Sequence, residues 1–229
     1  MNLIRRASAV TAATVIAALV TSASACGGAT TATRTTTNGL EKKASAEVLQ
    51  AAAAALTGAA SVHVVFTGPQ GHADVRIQKN GSATGTLTLA GDQIKVTIIG
   101  KFGYINTGQA GLRAMGAPPP VQRHGAGRWL KVTKPHFNGV SLADLASQLT
   151  AYRAGLEPKV RQATINGRKV VVVTWRDGAR LYVANAGPAY PLRVELKKGP
   201  NAGLIEFTEY GALFHITAPS NFIDLSNAG

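Results

Sequence analysis

Apolar residues recur at every second position through residues 62–105, and turn-forming residues interrupt the pattern. Val62, Val64 and Phe66 make up the first run, and Asn80-Gly81 is typical of a tight hairpin between two later runs. A two-residue period places apolar side chains on one face of a pleated sheet and polar side chains on the other. The stretch therefore predicts an antiparallel meander whose apolar face must be covered by another layer.

Two segments have helical periodicity instead. Residues 40–55 carry Val48, Leu49 and many alanines as an apolar stripe, and Gly58 predicts the end of the helix. Residues 140–154 begin near Ser141, a capping residue with an acidic residue three positions later, and contain apolar residues at helical spacing. The sequence thus predicts two helices that are available to cover the sheet.

The rest of the chain returns to β character. Asn166-Gly167 and Asp177-Gly178 predict hairpins, and the almost continuously apolar Val170–Trp175 predicts a strand that is either covered on both faces or held in place by Trp175. Residues 108–127, with five glycines and a proline run, predict a long irregular segment, either a lid or a disordered connection. Further strands are predicted at residues 128–134, 180–184, 192–197, 204–208 and 213–217.

Composition and charge narrow the possible partners. The chain has 229 residues, of which 45% are apolar, so one principal domain with a sizeable core is expected. The formal net charge is +13, or +11 without Arg5 and Arg6 of the N-terminal segment. Such a balance favours polyanions or anionic lipid surfaces. Nucleic acid is a poor fit because Lys and Arg are spread singly and no nucleic-acid motif occurs.

The N-terminus has the pattern of a secretory signal peptide, with a basic start, a small-residue apolar stretch and a cleavage region that ends at Ala25. Cys26, the only cysteine, comes next. The segment resembles a bacterial lipobox, in which the cysteine is acylated, although Ala23 stands where leucine is usual. This resemblance makes acylation of Cys26 the expectation, and more than one acyl chain would anchor the protein stably. Secretion with a free Cys26 and an uncleaved anchor are the alternatives.

No catalytic or metal-binding motif stands out. The five histidines lack HExxH or Cys-His spacing, and no Gly-x-Ser-x-Gly elbow occurs. His63 and His72 could face each other across a hairpin, although solvent-facing histidines are the simpler interpretation. Trp129 and Trp175 could line a ligand site, although core packing is favoured. The sequence therefore predicts a protein that is not an enzyme and needs no cofactor or metal.

Three motifs in the last third of the chain resemble the closing strands of a known lipoprotein family. They are Tyr190–Glu195, Ile205–Gly211 and Ile216–Pro219. With the order of elements, they resemble the LolA-like actinobacterial group that includes the LppX and LprG lipoproteins. The resemblance implies an α+β fold, a strongly curved antiparallel sheet of about 10–12 strands forming a half-open barrel, with two helices on its concave side. It also implies four regions: a signal peptide (1–25), a lipidated cysteine and tether (26–39), a lipid-binding domain (40–219) and a C-terminal tail (220–229).

The family resemblance also implies a function, which is the binding of acyl chains from envelope lipids or lipoglycans in an apolar cavity. The chain would be anchored by acylated Cys26 at the extracytoplasmic face of the cell membrane, with an envelope transporter as a candidate partner. The alternative is an interaction module with a filled core and a basic surface that docks an anionic partner. The residues expected to line the cavity are apolar positions of the meander and the second helix: Val64, Phe66, Val75, Ile77, Leu87, Leu89, Ile94, Val96, Ile98, Leu145 and Leu149.

Overall fold

The computed structural model describes residues 36–69, 71–89, 91–133, 140–199 and 202–226, which lie in one compact unit, Thr35–Gly229. A short 3-10 helix, Leu40–Lys42, precedes four α-helices: α1 (Ser45–Gly58), α2 (Gln109–Ala114), α3 (Pro119–Gly125) and α4 (Leu142–Ala151). The strands are β1 (Ser61–Gly68), β2 (Gly71–Gln78), β3 (Ala83–Leu89), β4 (Asp92–Ile99), β5 (Phe102–Asn106), β6 (Trp129–Thr133), β7 (Arg161–Ile165), β8 (Arg168–Thr174), β9 (Arg180–Ala184), β10 (Pro191–Leu196), β11 (Gly203–Thr208) and β12 (Phe222–Asp224). No helix in the described residues is long and apolar enough to cross a membrane.

All twelve strands form one sheet, in the order β12-β6-β5-β4-β3-β2-β1-β11-β10-β9-β8-β7. Neighbouring strands are antiparallel except β12, which pairs in parallel with β6. Because β12 and β7 are the two edges, the sheet of the described residues does not close. The predicted α+β fold with a half-open, mostly antiparallel barrel is confirmed, and two short helices are added to the two that the sequence predicted.

The main core lies between the inner face of the sheet and helices α1 and α4. Val48, Leu49 and Leu56 of α1 are fully buried, and they join inner-face residues from both halves of the sheet in one apolar cluster. Burial of one such side chain contributes roughly 1.5–3 kcal/mol. Alanine has the highest helix propensity, so the alanine-rich segment forms a helix. Its small side chains also let α1 pack closely against α4 and the strands.

Both predicted helices are present, with small shifts at their ends. Helix α4 begins after Ser141, whose Oγ accepts a hydrogen bond from the backbone N–H of Asp144 at 3.0 Å, as the capping pattern predicted. Helix α1 begins at Ser45 rather than Leu40, and the backbone N–H of Ala44 donates to Glu47 Oε2 at 3.0 Å. Residues 40–42 form the separate 3-10 helix instead.

Strand β8 is covered on both faces, which is one of the two alternatives that its apolar sequence predicted. Val171 and Val173 face the main core, whereas Val170 and Val172 belong to a second cluster on the outer face, with Tyr182, Ala184 and Leu192. The hairpin β7–β8 turns at Asn166 and Gly167 with φ of 49° and 74°, as a tight turn of this type requires. The Asn80-Gly81 and Asp177-Gly178 hairpins are looser than predicted, since residues 79–82 and 175–179 separate their strands.

The segment 108–127 is not irregular, so this prediction was wrong. It folds into α2 and α3, and Pro119 and Pro120 occupy the first turn of α3, where proline is tolerated. Leu112 is buried, and Gly125 lies so close to Leu112 and Leu130 that a Cβ at residue 125 would sit 3.1 Å from the Leu130 side chain. The two helices therefore pack on each other and on β6.

The strand predicted at residues 213–217 is also wrong. This segment has no strand pairing, although Ala212, Phe214 and Ile216 are partly buried in alternation with exposed neighbours. The chain leaves β11, contacts Ser61 and Gln78 through backbone oxygens of residues 212 and 214, and ends as β12 beside β6. We call residues 209–221 the strap, because they join β11 beside β1 to the far edge of the sheet on its outer face.

Candidate functional site

One end of the sheet collects most of its connections, and we call this end the rim. Because adjacent strands are antiparallel, the β1–β2, β3–β4, β5–β6, β8–β9 and β10–β11 connections all lie at the same strand ends. The α2–α3 segment is one of these connections, since it joins β5 to β6. We call the opposite end, where β2–β3, β4–β5, β7–β8 and β9–β10 connect, the base.

The apolar inner face is sealed at the base and partly open toward the rim. Close to the base, inner-face residues of β1 to β4 are no more than 2% exposed: Val62, Ile77, Ala83 and Ile98. Toward the rim, inner-face residues of β1, β2, β3, β10 and β11 are only partly buried: Val64, Phe66, Val75, Leu87, Leu196 and Ile205. On β4, Val96 and Ile94 remain buried. The change occurs within single strands, so it reflects what covers the sheet rather than a change in the strands themselves.

The two long helices explain this gradient. Helix α1 ends beside the base, where the carbonyl of Ala60 accepts from the N–H of Lys79 at 2.9 Å, and its fully buried face fills the space there. Helix α4 buries Leu142 and Ala146 but leaves Leu145 and Leu149, which lie on its adjacent stripe, partly exposed. The rim half of the inner face therefore has an apolar wall that the described helices cover incompletely.

Phe66 forms part of this wall at the rim end of β1. Its ring lies over two glycines, and a Cβ at Gly68 or Gly203 would come within 2.6 Å or 2.9 Å of ring atoms. Phe66 is paired across the strands with Ile205 on β11 and Ala73 on β2. The glycines thus allow an aromatic ring to lie flat along the wall rather than project into solvent.

The residues predicted to line a cavity fall into two groups. Ile77, Ile94, Val96 and Ile98 are buried in the core, whereas Val64, Phe66, Val75, Leu87, Leu145 and Leu149 are partly exposed. The side chain of Leu89 and all of Cys26 lie outside the described residues. The structure thus brings the partly exposed residues onto one apolar layer, and their contact with a ligand stays a prediction.

The second β run also contributes to the wall, which the sequence pattern did not predict. Leu196 and Ile205 pack against the main core but are partly exposed, like the residues of the meander. The β1–β11 pairing brings them into place, by joining the last long strand to the first. The alternation of residues 204–208 predicted a strand, but no local pattern could predict that this strand pairs with β1.

A polar cluster lies on the outer face, on the opposite side of β1 from the wall. His63 Nε2 lies 2.8 Å from Asp74 Oδ1, and its Nδ1 lies 3.5 Å from Glu209 Oε2. Arg76 lies 3.4 Å from Asp74 and 3.7 Å from Glu209. His63 is opposite Arg76 and His72 is opposite Thr67, so the two histidines do not face each other. His72 is exposed, as the simpler interpretation predicted, whereas the His63 side chain is only 13% exposed. The cluster attaches the start of the strap to the sheet.

Two stacked tyrosines hold the strap to the β9–β10 connection and to the start of β10. The rings of Tyr190 and Tyr210 stack at 3.9 Å, and the Tyr210 hydroxyl donates to the carbonyl of Pro191 at 2.6 Å. Burial, together with the neighbouring Tyr190, raises the pKa of the Tyr210 hydroxyl above its usual range. This tyrosine is therefore a neutral hydrogen-bond donor with a structural role.

Elsewhere in the described residues there is a surface depression, and it lies apart from the wall. No group of three or more His, Cys, Asp or Glu side chains there is placed to hold a metal ion. A shallow depression lies at edge strand β7, lined by Gln162, Thr164, Lys169 and Asn185 among others. It is open and lies away from the apolar wall. Trp175, which could have lined a ligand site, belongs to the main core.

Comparison with known proteins gives matches only at the level of structure. No protein-family model matches the chain, and no curated protein matches it. The crystal structure of LprF from Mycobacterium bovis is similar, with a TM-score of 0.55 and 17% identity over 76% of this chain and 96% of LprF. The crystal structure of Mycobacterium tuberculosis lipoprotein LppX gives a TM-score of 0.49 and 13% identity over 76% of this chain and 98% of LppX. The chain therefore has the fold of LprF, which confirms its resemblance to the LppX/LprG-type lipoproteins at the level of the fold.

Proposed function

We propose that this protein is an envelope lipoprotein that binds acyl chains of envelope lipids or lipoglycans against the rim half of its inner wall. Cys26 carries its acyl anchor and holds it at the extracytoplasmic face of the cell membrane. The protein transports or presents the bound lipid. This proposal combines the family resemblance with the LprF fold and with the incomplete cover of the wall.

The strongest support for the proposal is the change from fully buried to partly exposed residues along a single strand. Val62 is fully buried, whereas Val64 and Phe66 on the same face of β1 are partly exposed. A half-barrel whose helices filled the whole inner side would bury these positions alike. The partly exposed wall is continuous across β1, β2, β3, β10 and β11, so its shape suits a flexible chain better than a compact polar ligand.

The energetics suit exchange with a membrane. Each methylene moved from water to an apolar surface contributes about 0.8 kcal/mol, so even eight to ten methylenes would give roughly 6–8 kcal/mol. A lipid that arrives from a bilayer loses a similar contribution on leaving it, because lipid tails are as apolar as leucine side chains. Transfer of these methylenes between the bilayer and the wall would therefore be nearly balanced, and no catalytic group is required.

The test is native mass spectrometry of the full chain purified from its own membranes without denaturation. The proposal predicts a mass increment on the folded protein that dissociates as a lipid, in addition to the covalent anchor. Denatured protein should keep only the increment at Cys26. Folded protein with no dissociable lipid would instead favour an interaction module with a filled core.

A further inference from the structure

We propose that the rim is a docking surface for an anionic lipid bilayer, which it contacts with exposed arginines and lysines and with exposed apolar side chains. This inference goes beyond the proposed function, because a rim that docks does not require the inner wall to hold a lipid. It identifies which end of the domain meets the membrane.

Exposed cations from four separate connections meet at the rim. Three arginines lie on or beside α2 and α3, and one cation lies on the β10–β11 connection. A fifth lies on the β8–β9 connection, and a sixth follows α4, whose end is held at the rim because the Arg176 N–H donates to the carbonyl of Gly155 at 2.9 Å. These exposed residues are Arg113, Arg123, Arg128, Arg153, Arg176 and Lys198.

None of these six cations has a carboxylate partner within 4.0 Å among the described residues. The carboxylates at the rim are engaged elsewhere. Asp92 accepts from the N–H of Gly111, and Asp177 accepts from the N–H of Ala179. Glu195 pairs with Lys197 at 3.1 Å, and Glu157 pairs with Arg161 at 3.8 Å. The rim therefore presents positive charge that the fold itself does not neutralise. The base also has exposed cations without a carboxylate partner among the described residues, Lys79, Lys101 and Arg168, so exposed apolar side chains are what distinguish the two ends.

Exposed apolar side chains occur at the same end. Four large apolar or aromatic residues of the described chain are more than a third exposed, and three of them lie at the rim. Met115 lies between α2 and α3, and Tyr152 is held at the rim because its carbonyl accepts from the Trp175 indole N–H. Phe222 is opposite Trp129 at the rim end of β6, and its ring packs edge-on against Tyr104 at 5.4 Å on the outer face. The fourth, Leu213, lies on the strap.

Exposed cations and exposed apolar side chains at the same end of the domain indicate a lipid bilayer as the partner. Cations spread over several connections suit a surface with many mobile negative charges, since each Lys or Arg near such a membrane contributes about 1 kcal/mol. Apolar side chains among them suit the boundary between headgroups and acyl chains. A specific anionic protein would instead be expected to match paired charges around a central apolar patch. The base differs, because the large exposed apolar residues described above are absent from its connections.

The experiment uses residues 35–229, the compact unit that contains the whole described fold and its core. Flotation with vesicles of phosphatidylcholine and 30 mol% phosphatidylglycerol is compared with flotation on pure phosphatidylcholine. We expect binding only to the anionic vesicles, with its loss when salt rises from 0.1 M to 1 M and the Debye length falls from about 10 Å to about 3 Å.

A matched pair of variants locates the surface. The rim variant is Arg123→Gln, Arg153→Gln and Lys198→Gln, and the base variant is Lys79→Gln, Lys101→Gln and Arg168→Gln, which removes the same charge. The rim variant should bind anionic vesicles about 100-fold more weakly, which is about 1 kcal/mol for each cation. The base variant should change binding only a few-fold. Equal losses in the two variants, or no binding to anionic vesicles at all, would overturn the proposal.

Site-specific fluorescence provides a second readout that does not depend on charge. Residues 35–229 contain no cysteine, so Met115→Cys and Leu213→Cys each accept one environment-sensitive fluorophore. Anionic vesicles should shift the emission of the label at residue 115 to the blue and leave the label at residue 213 unchanged. A shift at residue 213 alone would place the contact on the strap and refute docking by the rim. Native mass spectrometry of the rim variant should still show bound lipid, so a failure of docking and a failure of acyl binding are distinguishable.

Discussion

A tryptophan on the inner wall should displace a bound acyl chain, whereas a tryptophan one residue later should not. Val64 and Val65 are neighbours in β1, and both are partly buried. Val64 belongs to the inner face with Val75, and Val65 faces outward with Asp74. The variants Val64→Trp and Val65→Trp therefore make the same chemical change on opposite faces of one strand.

The magnitude follows from the number of methylenes that the indole displaces. Tryptophan adds about seven heavy atoms to valine, and a partly open wall lets some of them point toward solvent. If about three methylenes of the ligand no longer contact the wall, the binding free energy weakens by about 2.4 kcal/mol at 0.8 kcal/mol each, or roughly 60-fold in affinity. Val65→Trp should change the affinity less than threefold.

Displacement of a fluorescent fatty-acyl probe from residues 35–229 measures both affinities, and urea unfolding checks that both variants are folded. Equal affinities of Val64→Trp and the unmodified domain would refute the wall as the ligand site. Equal losses in both variants would mean that the sheet, rather than its inner face, had been damaged.

Three further predictions concern the elements that hold the wall in place. Leu56→Ala, at a fully buried position of α1, should lower the free energy of unfolding by about 2–5 kcal/mol. Its control, Leu213→Ala on the exposed strap, should change the free energy of unfolding by less than about 0.5 kcal/mol. Urea denaturation measures both values, and equal effects would contradict the assigned core. Ser141→Ala should cost about 1 kcal/mol by removing the cap of α4, and Ser141→Asp should restore most of it; a neutral Ser141→Ala would mean that the hydrogen bond to the Asp144 N–H contributes nothing. A salt bridge of 2.7 Å to Lys131, with hydrogen bonds from Ser226, lowers the pKa of Asp224 to about 2; because the pKa is below its unfolded value near 4, its stabilisation of β12 is present above about pH 4 and is lost as the pH falls toward 2. The protection factor of the Leu225 amide, whose N–H donates to the carbonyl of Lys131 at 2.8 Å, should fall over that range in the unmodified protein but not in Asp224→Asn.

The five-strand meander could be predicted because local signals agree there. Alternating residues and the turn at Asn80-Gly81 lie within a few positions of each other, and the observed strands β1 to β5 pair with their neighbours in sequence. Helix α4 was predictable for the same reason, since its cap and apolar stripe are local. Patterns of this kind report which face of an element is buried.

The elements that were missed depend on information that periodicity does not carry. In the strap, Phe214 and Ile216 alternate with exposed residues as a strand would, but their backbone forms no ladder. Strand β12 is three residues long and pairs with β6, which lies about ninety residues earlier. Helices α2 and α3 are six and seven residues long in a segment rich in glycine and proline, so no apolar stripe could develop. The wall itself was predicted only in part, because its partly exposed half depends on where the helices end.

The most direct test of the central claim is to locate a bound acyl chain by photo-crosslinking. A phospholipid with a diazirine in its acyl chain is loaded onto residues 35–229 and irradiated, and the adducts are mapped by peptide mass spectrometry. We expect adducts on peptides that contain Val64, Val75, Leu145 or Ile205, and a loss of adducts in Val64→Trp. Adducts confined to the strap or to β7, or none on the inner wall, would contradict it.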